Sequence, residues 1–199
     1  MKKELTTLAA SILVTSASIA QTNWKVDASH SKLGFSVTHM MVSETEGKFR
    51  IFDGSATSKS DLDFTDAAIS FTADAASINT EDPKRDGHLK GPDFFDTGKY
   101  PAITFKSTSM KLNGQGKTSY DLVGDLTMHG VTKKVQLLAI GASQTVKDPY
   151  GNTKYGFKVT GVLNRKDFGL NWNAALEAGG VAVSDEVQIN CNIELNKSK

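Results

Sequence analysis

Val187-Gln188-Ile189-Asn190-Cys191-Asn192-Ile193-Glu194-Leu195 alternates apolar and polar residues without a break. In an extended chain this period of two puts Val187, Ile189, Cys191, Ile193 and Leu195 on one face and the polar residues on the other. One apolar face and one wetted face mark an antiparallel strand. Upstream the same period returns in Phe157, Val159, Gly161 and Leu163, and in Val135, Leu137 and Ala139, where Lys133 breaks the face near its start. Leu122, Gly124, Leu126 and Met128 form another set, followed towards the N-terminus by Ile103 and Phe105, by Ile69, Phe71 and Ala73, and by Leu33, Phe35, Val37 and His39. Between them lie turn formers: Asn113-Gly114-Gln115-Gly116, His129-Gly130, Asp148-Pro149-Tyr150-Gly151-Asn152 and Ala178-Gly179-Gly180. Strands joined by hairpins over this length hide their edges by closing into a barrel or folding into a sandwich. The residues support an all-β, antiparallel fold; closed as a barrel of about eight strands, its interior is either filled by side chains or holds one slim ligand.

Two features break the regular alternation. Gly34, Gly47, Gly54, Gly124 and Gly161 fall within or beside strands, where glycine marks a bulge, strong coiling or close approach of another group. Phe49 and Phe52, three apart, share a face only if a bulge lies between them. The other interruption is Ser77 to Tyr100. Asn79, Thr80 or Asp82 can cap a short helix with Pro83 in its first turn, running through Lys90 and ended by Gly91-Pro92. A second turn, Asp93-Phe94-Phe95-Asp96, carries two adjacent aromatics. One helical insertion in a barrel is expected to act as a lid or plug.

The first twenty residues read differently. Lys2 and Lys3 precede an apolar and small-residue run from Leu5 to Ala20 that ends in Ser18-Ile19-Ala20. This is the layout of a secretory signal cleaved between Ala20 and Gln21, and it implies a periplasmic protein. The run is interrupted by Ser and Thr and is shorter than the roughly 20 apolar residues of a membrane span. Residues 21–199 then form a single domain carrying equal numbers of basic and acidic side chains. That balance gives no basic surface for nucleic acid or anionic membranes. With one cysteine, Cys191, the chain has no internal disulfide, and the apolar face predicts a buried, inert thiol.

Four histidines, His30, His39, His88 and His129, are the candidates for chemistry. None is spaced as a clustered metal ligand, and no second thiol is available, so no metal site is expected. Asp27, His30 and Ser31 lack a nucleophile elbow, and adjacent His30 and Ser31 point to opposite faces of a strand. No catalytic residue and no catalytic cofactor are expected. Asp27 and His30 read instead as a hydrogen-bond network at the start of the barrel. Arg85 and Asp86 form either a weak surface ion pair on the helix, or a site where Arg85 meets an anionic head group.

The ordered pieces Asp27-Ala28-Ser29-His30-Ser31, Phe35-Ser36-Val37-Thr38-His39-Met40-Met41 and Gly47-x-Phe49-x-x-Phe52-x-Gly54 resemble the opening of the YceI-like family. Arg85-Asp86-Gly87-His88-Leu89, Asp93-Phe94-Phe95-Asp96, Tyr100-Pro101-x-Ile103-x-Phe105, Gly124 to Thr132 and Asn164 to Leu170 continue the resemblance. It implies a lipocalin-like barrel that binds, stores or transports a long isoprenoid lipid or isoprenoid quinone in an internal tunnel, without enzymatic activity and often as a homodimer. On that reading Phe35, Val37, Phe105, Leu126, Phe157 and Leu163 line the wall, together with Phe49. Leu89, Phe94 and Phe95 cap the tunnel, Met41 offers a flexible apolar surface, and His39 and Arg85 contact the head group. For each apolar residue taken singly, ordinary core packing explains the pattern equally well. Two other functions fit the alternation: an enzyme acting on a small lipid at the barrel mouth, and a ligand-free envelope adaptor with a solid core. Each methylene withdrawn from water contributes roughly 0.8 kcal/mol, so affinity is expected to follow tail length, with modest head-group selectivity.

Overall fold

The structure, a computed structural model, describes residues 21–177 and 179–198. The expected secretory segment lies outside the described residues. The chain forms β1 (Thr22–Val26), β2 (Lys32–His39), β3 (Ser43–Phe49), β4 (Phe52–Ser58), β5 (Ala68–Asp74) and the short β6 (Ile78–Asn79). The helix α1 (Pro83–Lys90) follows, then β7 (Ala102–Leu112), β8 (Ser119–Met128), β9 (Val131–Gly141), β10 (Val146–Lys147), β11 (Thr153–Asn164) and β12 (Val183–Lys197). No described helix is long and apolar enough to cross a membrane.

Pairing resolves these elements into eight barrel strands. β1 and β2 lie end to end along β12, pairing Val26 with Leu195 and Lys32 with Asn192. They are one bent strand, broken at residues 27–31, where the Glu194 amide donates to Ser31 Oγ at 2.8 Å. β3 and β4 are likewise one strand, running along β2 and β1 in turn. The break between them, at Arg50-Ile51, brings Phe49 and Phe52 both into the core, which the spacing of the two rings required. β5, β7, β8, β9, β11 and β12 then follow in chain order, each antiparallel to the last, and β12 returns to β1 and β2 to close an up-and-down barrel. Closure removes the edges that a twisted open sheet of this size would expose.

The two ends of the barrel are built differently. At one end the β4–β5 turn drives Phe64, fully buried, into the barrel. Its ring stacks on Tyr155 at 4.9 Å and meets Phe157 edge-on at 4.8 Å, with Trp24 tilted against it at 5.7 Å. The buried polar tips are satisfied: Trp24 Nε1 donates to Ser58 Oγ at 2.9 Å and the Tyr155 hydroxyl to the Ala142 carbonyl at 2.7 Å. Burial pushes the Tyr155 hydroxyl up to about 12. Aromatic pairs of this kind contribute about 0.5–1.5 kcal/mol beyond the area they bury, so this end is a solid floor.

At the other end the insertion lies across the barrel. Asp82 caps α1, its carboxylate accepting from the Lys84 and Arg85 amides at 2.9 and 3.2 Å, with Pro83 in the first turn. Asp86 is not an exposed partner of Arg85, as one reading of the sequence had it. It is buried, and accepts from the Thr80 amide and hydroxyl at 2.8 and 2.6 Å and from Asn79 Nδ2 at 3.2 Å. A buried carboxylate needs this full set of donors, and Asn79 of β6 with Thr80 just after it supplies them, β6 being anchored by pairing with β3.

Candidate functional site

Between floor and insertion the barrel is hollow, with a cavity of about 570 Å³ whose wall is almost wholly apolar. The hollowness has a local cause repeated four times. Gly47, Gly54, Gly124 and Gly161 occupy inward positions, and over each lies a large side chain from a neighbouring strand: Phe35, Phe71, Phe105 and Leu137 respectively. A Cβ at Gly47 or Gly124 would stand 2.3 Å from the ring above it, and at Gly54 and Gly161 the distances are 2.7 and 2.5 Å. The missing side chains let the large ones lie against the wall, so the lumen stays open. All four large residues line the cavity.

The wall and roof collect nearly all the residues expected of a tunnel. Phe35, Val37, Phe49, Phe105, Leu126, Phe157 and Leu163 all border the cavity. From the insertion, Leu89, Phe94 and Phe95 border it too, and Phe95 meets Phe49 edge-on at 5.8 Å. His39 and Arg85 stand on the lining as well. Met41 does not. It is 62% exposed in the β2–β3 turn, because Met40 and Met41 both adopt positive φ (49° and 60°) and end the alternation that placed Met41 inward.

Sequence reasoning missed three residues. Phe64, in a turn among polar residues, forms the floor. Trp172 roofs the cavity beside the insertion, its ring edge-on to His88 at 5.0 Å and tilted on Phe94 at 5.2 Å. Arg165, only 4% exposed, donates through Nε to the Ser184 carbonyl at 2.9 Å and through Nη1 to the Trp172 carbonyl at 2.8 Å and to the Leu170 carbonyl. Its Nη2 lies 3.5 Å from Asp185, and burial draws the guanidinium below its ordinary value. Arg165 thereby ties the β11–β12 connection over the cavity.

His39 and His88 both stand on the lumen lining, while the bonded histidines each have a different partner. His30 is exposed, with Nδ1 3.0 Å from Asp27, and His88 pairs with Asp93 at 3.0 Å. His129 bonds the Phe168 carbonyl at 3.1 Å and packs on Tyr100. Among the described residues, Asp27, His30 and Glu194 bring potential ligand atoms within 4.8 Å of one another. Lys154 already fills that position, donating to Asp27 at 2.9 Å and to Glu194 at 2.8 Å. The ammonium holds the Asp27 carboxyl far below the usual range, aided by Ser29, His30 and Asn196 against the cost of burial. Cys191 is buried in the wall, where desolvation pushes its thiol up to about 11. Neither group is set up for nucleophilic or metal chemistry. The arrangement can take an apolar chain out of water.

Comparison with known proteins agrees with this geometry. The UPF0312 protein of Staphylococcus aureus (strain N315) is 36% identical over 180 residues, covering 89% of this chain and 99% of that one. The YCEI protein of Campylobacter jejuni superposes with a TM-score of 0.68 at 28% identity, over 87% of this chain and 96% of that one. A domain from Saccharophagus degradans described as polyisoprenoid-binding and implicated in plant cell wall breakdown shares the fold, with a TM-score of 0.59 at 18% identity over 88% and 98% of the two chains. The model of the YceI-like domain matches residues 24–195, and the chain belongs to the YceI-like family.

Proposed function

We propose that this protein binds a long-chain isoprenoid lipid, a polyprenyl compound or isoprenoid quinone, in the barrel lumen, and stores or carries it in the periplasm after loss of residues 1–20. The observation that carries the reading is the glycine-backed, apolar lumen, whose volume falls within the range of about 300–1,000 Å³ usual for sites that enclose a small molecule. The likeness of the fold to a polyisoprenoid-binding domain supports the same class of ligand. His30 and His129 lie off the lumen lining and His88 is paired with Asp93, which favours binding over catalysis.

Burial of an apolar tail supplies the affinity, at about 0.8 kcal/mol for each methylene withdrawn from water. Titration with polyprenols of increasing length is expected to show affinity rising with each isoprene unit until the lumen is full, then levelling. Leu126→Trp, which places an indole in the wall, is expected to abolish loading of the longer tails in a barrel that still folds. Affinity independent of tail length in the native protein would overturn the proposal. For export, the mature protein is expected to begin at Gln21 when its N-terminal mass is measured; an intact Met1 in periplasmic material would contradict it.

A further inference from the structure

Taking the lumen as a lipid site, we propose that Lys84 and Arg85, the latter held in place by Thr80, form its head-group subsite and that this subsite selects an anionic head, such as a phosphate monoester, over a neutral one. The first observation is a charge asymmetry. The chain as a whole carries 23 basic and 22 acidic residues. Yet the charged lining of the cavity is basic throughout: Lys84, Arg85 and Arg165, with His39 and His88, and no aspartate or glutamate.

Not all of these charges are available. Arg165 commits Nε and Nη1 to three carbonyls, while its buried Nη2 has no hydrogen-bond partner among the described residues and lies 3.5 Å from Asp185; His88 is paired with Asp93. Lys84 and Arg85 have no carboxylate within ion-pair distance among the described residues. Arg85 is also held in one pose. Its Nε donates to the Thr80 hydroxyl and its Nη2 to the Thr80 carbonyl, both at 2.8 Å. The Thr80 hydroxyl in turn donates to buried Asp86 at 2.6 Å. This leaves Nη1 of the exposed Arg85 with no protein partner among the described residues, on a guanidinium held at the mouth of the lumen.

Beyond Arg85 lies a polar cleft that shares Thr45, Thr80 and Arg85 with the lumen. Its lysines are matched: Lys32 lies 3.5 Å from Glu46 and Lys48 3.7 Å from Glu81, and Glu44 adds one further acid. Lys84 and Arg85 thus bring positive charge to the lumen lining, tempered by the Asp82 carboxylate beside them, where an amphiphile with its tail on the floor would present its head. Hydrogen bonds between a fixed guanidinium and an anionic oxygen are stronger than those to a neutral hydroxyl.

The test compares three amphiphiles of one tail length, a polyprenyl phosphate, the matching polyprenol and a matching quinone, on the whole protein. The phosphate is expected to bind about tenfold more tightly than the other two, with a preference that shrinks as salt rises. Arg85→Gln is expected to bring the ratio of phosphate to polyprenol affinity close to one, and Arg85→Lys, which keeps the charge but not the double contact to Thr80, to leave an intermediate ratio. Equal affinities in the native protein, or a ratio unchanged by Arg85→Gln, would overturn the subsite. Failure of all three amphiphiles to bind would instead overturn the lipid reading beneath it.

Discussion

Gly47→Ala isolates the feature that keeps the barrel hollow. The added methyl would stand 2.3, 2.8 and 2.9 Å from three ring carbons of Phe35, and no backbone atom is among its nearest neighbours. Ordinary contact begins near 3.4 Å, so the ring must retreat by about 1 Å, and the open direction is the lumen. Gly47 lacks a positive φ, so alanine fits its backbone, and lower unfolded-state entropy offsets part of the packing cost. The net effect on stability should be within about 1 kcal/mol. The effect on binding should be larger. A ring swung inwards excludes on the order of two methylenes of a bound tail, which is about 1.6 kcal/mol or roughly 15-fold in affinity. Displacement of a fluorescent polyprenol analogue measures this directly, with near-ultraviolet circular dichroism reporting that the barrel is intact. Adding Phe35→Leu to Gly47→Ala should restore most of the affinity, because the smaller side chain clears the methyl. A folded Gly47→Ala protein with native affinity would refute the reasoning.

Three further outcomes follow from other contacts. Asp27→Asn should cost about 2 kcal/mol at pH 7, since the Lys154 ammonium loses its charged acceptor. Because the folded Asp27 carboxyl titrates far below its unfolded value near 3.8, that contribution is complete above about pH 5 and fades as pH falls, so urea denaturation of native and variant proteins should converge in acid. Cys191, with a thiol near 11, is about 0.1% thiolate at pH 8, and should react slowly with an aromatic disulfide reagent until denaturant opens the barrel; fast labelling of the folded protein would contradict its burial. Arg165→Ala should destabilise the fold by about 3 kcal/mol or more, read by thermal unfolding, because it strands the carbonyls of Leu170, Trp172 and Ser184.

The antiparallel strands were legible because period two fixes which residues share a face, and residues 187–195 carry that period without a break; closure as a barrel rather than a sandwich came from the family resemblance, since both hide their edges and show the same alternation. The short helix was legible through Asp82 and Pro83, and the kink at Arg50-Ile51 through the spacing of Phe49 and Phe52. The open lumen was not. A packed core and a hollow one need the same alternation, and what separates them is a glycine standing beneath a ring on the next strand. That depends on register, which pairs Gly47 with Phe35 and Gly54 with Phe71 across strands. Arg165 was hidden for another reason: a charged residue just past a strand reads as solvated, and only the carbonyls that the β11–β12 connection folds over it allow its burial. Met41 went astray because alternation says nothing about where two successive positive-φ residues will end it.

The hollow lumen and its lipid are tested together by native mass spectrometry of the protein purified without detergent from bacterial periplasm, followed by solvent extraction. A mass excess over the polypeptide that extraction releases as one long-chain isoprenoid is the predicted result. A bare polypeptide mass, combined with failure to take up a polyprenol of any length, would contradict the account.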